Sequence, residues 1–207
     1  MTRPRILCLA DLKPQDMAQR LEGDYHVLRD IADAADVEAV VTAGNVGLST
    51  AQMAQLPALR LIAVNGVGVD AVDLAQAARR GIAVTTTPDV LSQAVAEMAL
   101  ALALATGRQV AEGDRFVRAG QWAGGGKLGL ASSVLDRRAG ILGYGRIGRR
   151  LADMLRGLGM VVSYTARSER PDSPDCFRPD AVSLAQDCEL LFVTAAGGEG
   201  TRSLVDA

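Results

Sequence analysis

Aromatic residues and histidine are scarce in this chain. Only 3% of its 207 residues are Phe, Trp or Tyr, and the single histidine is His26. Because 49% of the residues are hydrophobic, the core must be built mainly from Ala, Leu and Val. His26 lies in a Tyr-His-Val segment near the amino terminus, where we expect a structural or surface role rather than proton transfer.

Cysteine is also rare, and the cysteines are far apart in the sequence. Cys8, Cys176 and Cys188 match neither the spacing of a metal site nor a disulfide framework. This pattern excludes a disulfide-stabilised secreted domain and favours a reducing cytoplasm. Cys8 and Cys188 lie in or beside predicted strands, so we expect inert burial for both.

The chain lacks both a strong excess of charge and a long hydrophobic run. Its net charge of −2 argues against nucleic acid or a membrane surface as a partner. The apolar run before Asp11 has only five residues, which is too short for a signal peptide. The most apolar segment, Met98 to Ala105, is well short of the roughly 18 residues that cross a bilayer. We expect this segment to be a buried helix.

Short apolar segments alternate with segments of helical periodicity along most of the chain. This alternation is typical of a parallel sheet covered by helices. The predicted strands are 6–10, 25–28, 39–42, 61–64, 82–84, 139–142, 160–164 and 190–193. The predicted helices are 14–21, with Pro14 in its first turn, then 50–56, 70–80, one capped by Asp89 or Ser92 and ending near Thr106, 110–119, one after Gly148, and 180–187.

The predicted fold class is therefore α/β, with two Rossmann-like, doubly wound parallel-sheet domains. One domain would span residues 1-90 and the other residues 91-207, with the boundary marked by Thr86-Thr87-Pro88. The second domain shows only three strands, half of a dinucleotide-binding fold, so it is expected to be incomplete and to leave its outer strand as an unpaired edge.

A glycine-rich stretch of the form G-x-G-x-x-G joins a predicted strand to a predicted helix. It reads Gly143-Tyr144-Gly145-Arg146-Ile147-Gly148. The second glycine allows the backbone to approach a pyrophosphate, the third allows close packing of helix and strand, and the helix start offers N–H groups to the phosphates. Apolar residues at a helical period, Leu151 and Leu155 among them, predict one buried helix face. Another strand follows, which favours a dinucleotide-binding β-α-β unit. The alternative is a glycine-rich turn that binds nothing.

The residues after the second strand of this unit indicate which dinucleotide binds. Ala166, Arg167, Ser168, Glu169 and Arg170 stand where NAD-binding proteins place a carboxylate, about 20 residues past the glycines. No acid stands at the strand tip, and guanidinium groups suit a 2′-phosphate. The sequence therefore predicts NADP(H) in preference to NAD(H). Alternatively, the arginines are only solvated loop charges, and Glu169 would oppose a phosphate if it turned inward.

The predicted cofactor contacts extend beyond the glycine-rich stretch. They comprise Gly143, Tyr144, Gly145, Arg146, Ile147, Gly148, Ala166, Arg167, Ser168, Arg170 and Thr194.

A second candidate site is the segment Asn65-Gly66-Val67-Gly68-Val69-Asp70. It follows a predicted strand and leads into a predicted helix, and ligands of open α/β sheets bind at such strand ends. Its backbone N–H groups are suited to a small anion such as a carboxylate. A plain strand–helix turn explains the same pattern equally well.

Several segments, in matching order, resemble the D-isomer-specific 2-hydroxyacid dehydrogenase family, and together they cover nearly the whole chain. These segments are 65–74, 81–91 with 95–97, Gly120-Gln121-Trp122, and 140–148. The resemblance implies a substrate domain at 1-90, a cofactor domain at 91-207 and a pocket in the cleft between them. It also implies that the N–H groups of Val67 and Gly68 hold the substrate carboxylate. Family members are commonly dimers, which would make Met98 to Ala105 part of a homodimer contact.

The Ala-Arg-Ser tip resembles the NADPH-preferring branch of that family, which reduces glyoxylate, hydroxypyruvate or hydroxyphenylpyruvate. The catalytic arginine, glutamate and histidine of the family lie downstream of the segment that ends this chain. We therefore assign no catalytic residue here and expect a truncated chain that is inactive alone, in a protein that transfers a hydride between NADP(H) and a small 2-oxo acid. The alternatives are a non-catalytic dinucleotide-sensing binding protein, or another dehydrogenase of the family such as phosphoglycerate dehydrogenase.

Overall fold

The computed structural model describes residues 3–12, 15–197 and 199–206. The chain forms two compact units, Met1–Val90 and Leu91–Ala207. Each unit is a parallel β-sheet with helices packed against it, which confirms the predicted α/β class. Pro14, which was predicted to lie in the first turn of the first helix, falls outside the described residues.

Strands and helices alternate along the first unit. They are β1 (Arg5–Cys8), α1 (Gln15–Asp24), β2 (His26–Leu28), β3 (Ala39–Ala43), α2 (Thr50–Ala54), β4 (Leu61–Asn65), α3 (Leu74–Arg79) and β5 (Ala83–Thr85). The strands pair in parallel, in the order β2-β1-β3-β4-β5. This order is that of a doubly wound sheet with a topological switch point.

The sheet of the first unit is covered on both faces because successive residues of each strand point to opposite sides. Leu7 and Val40 are paired neighbours and face α2 and α3 in one apolar cluster. The next residues, Cys8 and Val41, are paired as well and belong to a second cluster that includes apolar residues of α1. The near-continuous apolar strands of the sequence therefore reflect burial on two faces.

The second unit begins with two helices and continues with a mixed run of strands and helices. Its elements are α4 (Ser92–Gly107), α5 (Val110–Arg118), β6 (Arg138–Leu142), α6 (Arg146–Gly157), β7 (Val161–Thr165), β8 (Cys176–Phe177), α7 (Ala181–Asp187) and β9 (Leu190–Val193). The strands are parallel in the order β8-β7-β6-β9. The sequence analysis missed β8, since two residues are too few to show a strand period.

Helices also cover both faces of the second sheet. Ile141 and Tyr164 are paired neighbours and pack with Leu151 and Leu155 of α6. On the other face, a Cβ at Gly140 would lie 2.7 Å from the Cys188 sulfur and 3.2 Å from Leu184 of α7. This face therefore requires glycine at the centre of β6 for α7 to approach.

Helix α4 lies where the sequence placed it, but the prediction that it is buried was wrong. Its alanine-rich face, with Ala96 fully buried, packs against the cluster around α6. Met98 and Leu102 lie on another face, and each is 59% exposed. The helix is apolar on more than one face, so its composition could not distinguish the covered face from the exposed one.

Two helix starts also differ from prediction. Helix α3 begins at Leu74 rather than Asp70, because Asp73 accepts a hydrogen bond from the Gln76 N–H at 2.9 Å and caps it. Helix α4 has Leu91 as its N-cap, with no side-chain cap bond. Asp89, one of the predicted caps, has φ of 70° and lies before the helix.

In the described part of the chain, no single helix has both the length and the apolar character to cross a membrane. The pair α4 and α5, bent by 58°, meets that test only when the two helices are taken together.

Candidate functional site

The glycine-rich stretch forms the turn between β6 and α6. Gly145 is the N-cap of α6 in an extended conformation, and no side chain caps the helix start. The first backbone bond of the helix runs from the Arg149 N–H to the Gly145 carbonyl at 3.0 Å. N–H groups of the first helical turn, where Arg146 and Ile147 lie, have no intrahelical acceptor. The turn therefore presents unpaired donors and the positive end of the helix dipole to a phosphate.

The glycines of the motif are required for different reasons. Gly143 has φ of 103°, and a Cβ there would lie 2.4 Å from the Ala195 nitrogen. A Cβ at Gly148 would lie 2.3 Å from the Gly143 carbonyl oxygen and 3.1 Å from Ile141. Both glycines are therefore needed for the chain to pack against itself.

Gly145 differs, because a Cβ there would meet nothing within 4 Å. Its φ of −86° is one that any residue adopts. The protein's own packing thus gives no reason for glycine at this position, whereas a phosphate group drawn close to the backbone does. This open face fits a dinucleotide pyrophosphate.

Three strand ends meet at this edge of the second sheet. The Gly143 N–H donates to the Thr165 carbonyl at 3.0 Å, and the Thr194 N–H donates to the Leu142 carbonyl at 2.9 Å. The Thr194 hydroxyl also donates to the Gly143 carbonyl at 2.7 Å. Thr194 therefore fixes the glycine turn from the β9 side, and the turn lies beside the segment that follows β7.

The segment after β7 carries the predicted 2′-phosphate contacts. Ala166 is half-buried, while Arg167, Ser168 and Arg170 are exposed. Among the described residues, neither arginine side chain makes an ion pair. The fifth residue of the segment, Glu169, is also exposed. The structure thus brings a cluster of unneutralised guanidinium groups to the strand end next to the glycine turn.

Arg170 also borders a recess of about 160 Å³ between α6 and the segment after β7. The recess is lined by Tyr144, Arg149, Asp153, Arg156, Arg170, Asp172, Ser173 and Pro174. The lining carries three arginines and two aspartates, and one of the arginines, Arg156, is already paired with Asp153 and Asp175.

The side chain of Tyr144 points into the unit rather than toward the open face of the turn. It is 5% exposed, and its ring stacks on Tyr164 with centroids 3.9 Å apart. Its hydroxyl donates to Asp175 at 2.5 Å and lies 3.0 Å from the Ser173 hydroxyl. Burial raises the pKa of Tyr144, and the hydrogen bond to Asp175 acts in the same direction. Only the backbone of Tyr144 is therefore available to a nucleotide.

Sequence reasoning missed the buried polar group beneath this site. The Asp175 side chain is 2% exposed and pairs with Arg156 of α6 at 2.6 Å. Arg156 also pairs with Asp153, one helical turn earlier. No signal in the sequence distinguishes Asp175 from the neighbouring loop acids, since its burial depends on where the loop folds back.

The segment between β4 and α3, predicted to hold a carboxylate, lies in the first unit. It packs against the turn after β3, where a Cβ at Gly44 would lie 2.5 Å from the Gly68 carbonyl oxygen. The Leu48 N–H donates to the Ala71 carbonyl at 3.1 Å, and the Thr87 N–H donates to the Gly66 carbonyl at 2.8 Å. These contacts hold the segment at the carboxyl end of the sheet.

Val67 and Gly68 are exposed. Within the described ranges, their backbone N–H groups donate to no protein acceptor, although the N–H and carbonyl of Gly66 and the carbonyl of Val69 are bonded. Since both residues are exposed, these two adjacent N–H groups are open to water and to a bound anion, and two such donors in a fixed turn are suited to a carboxylate.

The remaining titratable candidates are His26 and the three cysteines. His26 is exposed and is the first residue of β2, an edge strand of the first sheet. It therefore lies at the amino end of the parallel strands, whereas the segment after β4 lies at their carboxyl end. Cys8 is buried, Cys188 is half-buried and Cys176 is exposed, and all are free thiols. Burial raises the pKa of the Cys188 thiol. Across the described residues, no group of three or more His, Cys, Asp or Glu is placed to hold a metal ion.

The chain matches known proteins along most of its length. A model described as D-isomer specific 2-hydroxyacid dehydrogenase, catalytic domain, matches residues 12–201. The 2-ketogluconate reductase of Gluconobacter oxydans is 36% identical, over 99% of this chain and 67% of its own length. A glyoxylate/hydroxypyruvate reductase of Arabidopsis thaliana is 34% identical, over 84% of this chain and 54% of its own length.

The fold also matches solved structures. The crystal structure of the NADPH-dependent glyoxylate/hydroxypyruvate reductase of Sinorhizobium meliloti in complex with NADP and malonate is similar with a TM-score of 0.90 and 33% identity. The similarity covers 99% of this chain and 66% of that one. The chain therefore spans from 54% to 67% of the length of these three proteins.

Proposed function

Because the chain belongs to the D-isomer-specific 2-hydroxyacid dehydrogenase family, we propose that the whole protein transfers a hydride between NADP(H) and a small 2-oxo acid. The product of reduction is the D-2-hydroxy acid. The observation that carries this proposal is the uncapped start of α6, where Gly145 offers open space that no protein atom fills. The activities named for the relatives support glyoxylate, hydroxypyruvate or 2-ketogluconate as the substrate.

The residues of the second unit would hold the cofactor by its phosphates. The first-turn N–H groups of α6, at Arg146 and Ile147, would bind the pyrophosphate. Arg167, Ser168 and Arg170 would bind the 2′-phosphate, since charge-assisted bonds to phosphate are stronger than bonds between neutral groups. The NADP-bound relative from Sinorhizobium meliloti supports NADP(H) over NAD(H).

The first unit would bind the substrate. The N–H groups of Val67 and Gly68 would donate hydrogen bonds to the carboxylate of the oxo acid and so orient its carbonyl group. Bound NADPH supplies the hydride for the carbonyl carbon. Reduction also requires a general acid to protonate the carbonyl oxygen, and we assign no residue of this chain to that step. The 207 residues alone should therefore bind cofactor and turn over little.

We also propose that the protein is a homodimer joined through α4. Met98 and Leu102 leave an apolar face of this helix exposed, and exposed apolar patches mark protein–protein contacts. The proposed location is the cytoplasm, in keeping with free thiols. We propose no nucleic-acid or membrane partner, in keeping with a net charge of −2.

The activity is tested by incubating the whole protein with NADPH and each of glyoxylate, hydroxypyruvate and 2-ketogluconate, while the loss of NADPH absorbance is followed. We expect oxidation with at least one oxo acid and slower oxidation of NADH at equal concentration. An absence of oxidation with the whole panel would contradict the proposed reaction, and equal rates with NADH would contradict the cofactor preference.

The role of Arg167 is tested by Arg167→Ala. We expect the affinity for NADPH to fall by roughly 10- to 100-fold, the range for losing a hydrogen bond to a charged group, and the affinity for NADH to stay unchanged. Arg108→Ala is the matched control, because Arg108 is also exposed. An equal loss for both cofactors would show that Arg167 does not read the 2′-phosphate.

A further inference from the structure

The segment between β7 and β8 has no helix or strand of its own, although it carries the exposed Arg167, Ser168 and Arg170. Exposed side chains on an irregular segment lose conformational entropy when they close on a ligand. Contacts that fix the backbone of residues 166–175 reduce this entropy cost and so strengthen binding of the 2′-phosphate. Two side-chain hydroxyls make such contacts.

One anchor is the hydroxyl of Tyr164, the fourth residue of β7. It accepts a hydrogen bond from the Arg170 N–H at 2.7 Å. Tyr164 is fully buried, and its ring stacks on Tyr144 and lies at a tilted angle to Phe177 of β8, with centroids 5.6 Å apart. A ring held in this way places its hydroxyl accurately, so the backbone of Arg170 is fixed from within the core.

A second anchor is the hydroxyl of Tyr144. It reaches Ser173 and Asp175, at the far end of the same segment. The Asp175 N–H donates to the Ser173 hydroxyl at 3.1 Å, and Arg156 holds the Asp175 carboxylate from α6. A tyrosine hydroxyl is protonated near neutral pH, and burial raises the pKa of Tyr144 further, so this hydroxyl is a donor to Asp175.

The two anchors are joined because the tyrosine rings stack on each other at an interplanar angle of 25°. Tyr144 belongs to the glycine turn that would receive the pyrophosphate, and Tyr164 belongs to the strand that leads to the arginines. The stacked pair is therefore a rigid connection between the two halves of the proposed cofactor site.

We propose that Tyr144 and Tyr164 are positioning residues for cofactor choice, whose hydroxyls hold residues 166–175 so that the arginines meet the 2′-phosphate. This inference rests on the proposed NADP(H) preference. Neither tyrosine side chain touches the nucleotide, and each acts through the backbone that it binds. Removing one hydroxyl should weaken recognition of the 2′-phosphate and leave the rest of the nucleotide bound as before.

The test uses Tyr144→Phe and Tyr164→Phe in the full chain, with calorimetric titration of 2′,5′-ADP (adenosine 2′,5′-bisphosphate) and of AMP (adenosine 5′-monophosphate). These probes differ only in the 2′-phosphate. We expect affinity for 2′,5′-ADP to fall about 3- to 10-fold in each variant, because one hydrogen bond that holds the segment is lost, and affinity for AMP to stay unchanged. Tyr25→Phe is the control, since Tyr25 is an exposed tyrosine of the other unit. Ser173→Ala removes one hydrogen-bond partner of Tyr144 without changing a core residue. It should also lower the affinity for 2′,5′-ADP.

The outcomes separate the two proposals. If wild-type protein prefers 2′,5′-ADP and both Phe variants keep that preference, the tyrosine inference is overturned and the cofactor proposal stands. If both probes lose affinity equally in the variants, the tyrosines are merely structural. If wild-type protein does not distinguish the probes, the NADP(H) preference is wrong and this inference falls with it.

Discussion

At the scale of single residues, the glycine turn shows what a motif predicts and what it leaves open. The spacing of Gly143, Gly145 and Gly148 predicted a close approach to a phosphate at the second position and tight packing at the third; the Cβ contacts at Gly148 agree with the packing role, and Gly145 faces open space. The direction of Tyr144 was not predictable, because it depends on the ring of Tyr164 stacked beneath it. The binding roles of these residues remain predictions.

Asp73 gives a prediction at the same scale. Hydrogen bonds from the Thr50 hydroxyl and the Gln76 N–H hold the pKa of this carboxyl group below its usual value. Because the pKa is lower in the folded chain, the carboxylate stabilises the fold above the unfolded value of about 3.9. That contribution is lost as the pH falls through the folded pKa.

We therefore expect Asp73→Ala to unfold at a lower urea concentration than wild-type protein at pH 7, with the difference narrowing below about pH 3.9. Asp70→Ala is the control, since Asp70 is exposed in the same loop and caps no helix. A gap in urea midpoint that stayed constant from neutral to acidic pH would show that the carboxylate is not the stabilising group.

At the scale of helices and strands, the sequence predicted where each element lies along the chain better than which of its faces is buried. The period of Leu151 and Leu155 located the buried face of α6 correctly, because polar residues occupy its other faces. Helix α4 offered no such contrast, and its buried and exposed faces were distinguished only by what packs on them. Strand β8 was not predicted, because its two residues form a strand only through their pairing with β7.

The exposed face of α4 gives the prediction at this scale. Met98→Glu should place a charge in the proposed dimer contact and shift the chain from twice its mass of 21.6 kDa toward a monomer. Sedimentation velocity gives the mass directly. Val182→Glu serves as control, because Val182 is 67% exposed on α7. A wild-type protein that is monomeric would contradict the proposed dimer. A Met98→Glu protein that remains dimeric would show that the dimer contact does not involve this face of α4.

At the scale of the whole molecule, the α/β class and the family were predictable, and both are confirmed. Alternating strands and helices fix the class through simple packing rules. The family followed from the order of several weak segments, of which 65–74 and 140–148 form the two candidate sites. The substrate could not be predicted, because the contacts that shape its side-chain pocket are not contained in either motif.

The central claim is that a phosphorylated dinucleotide binds against the open face of Gly145. The most direct measurement is the dissociation constant of NADPH for Gly145→Ala beside Gly157→Ala, since a Cβ meets nothing within 4 Å at either glycine and the two lie at opposite ends of α6. We expect Gly145→Ala to fold like wild-type protein and to bind NADPH about tenfold more weakly or worse, with Gly157→Ala unchanged. Wild-type affinity in Gly145→Ala would contradict the claim.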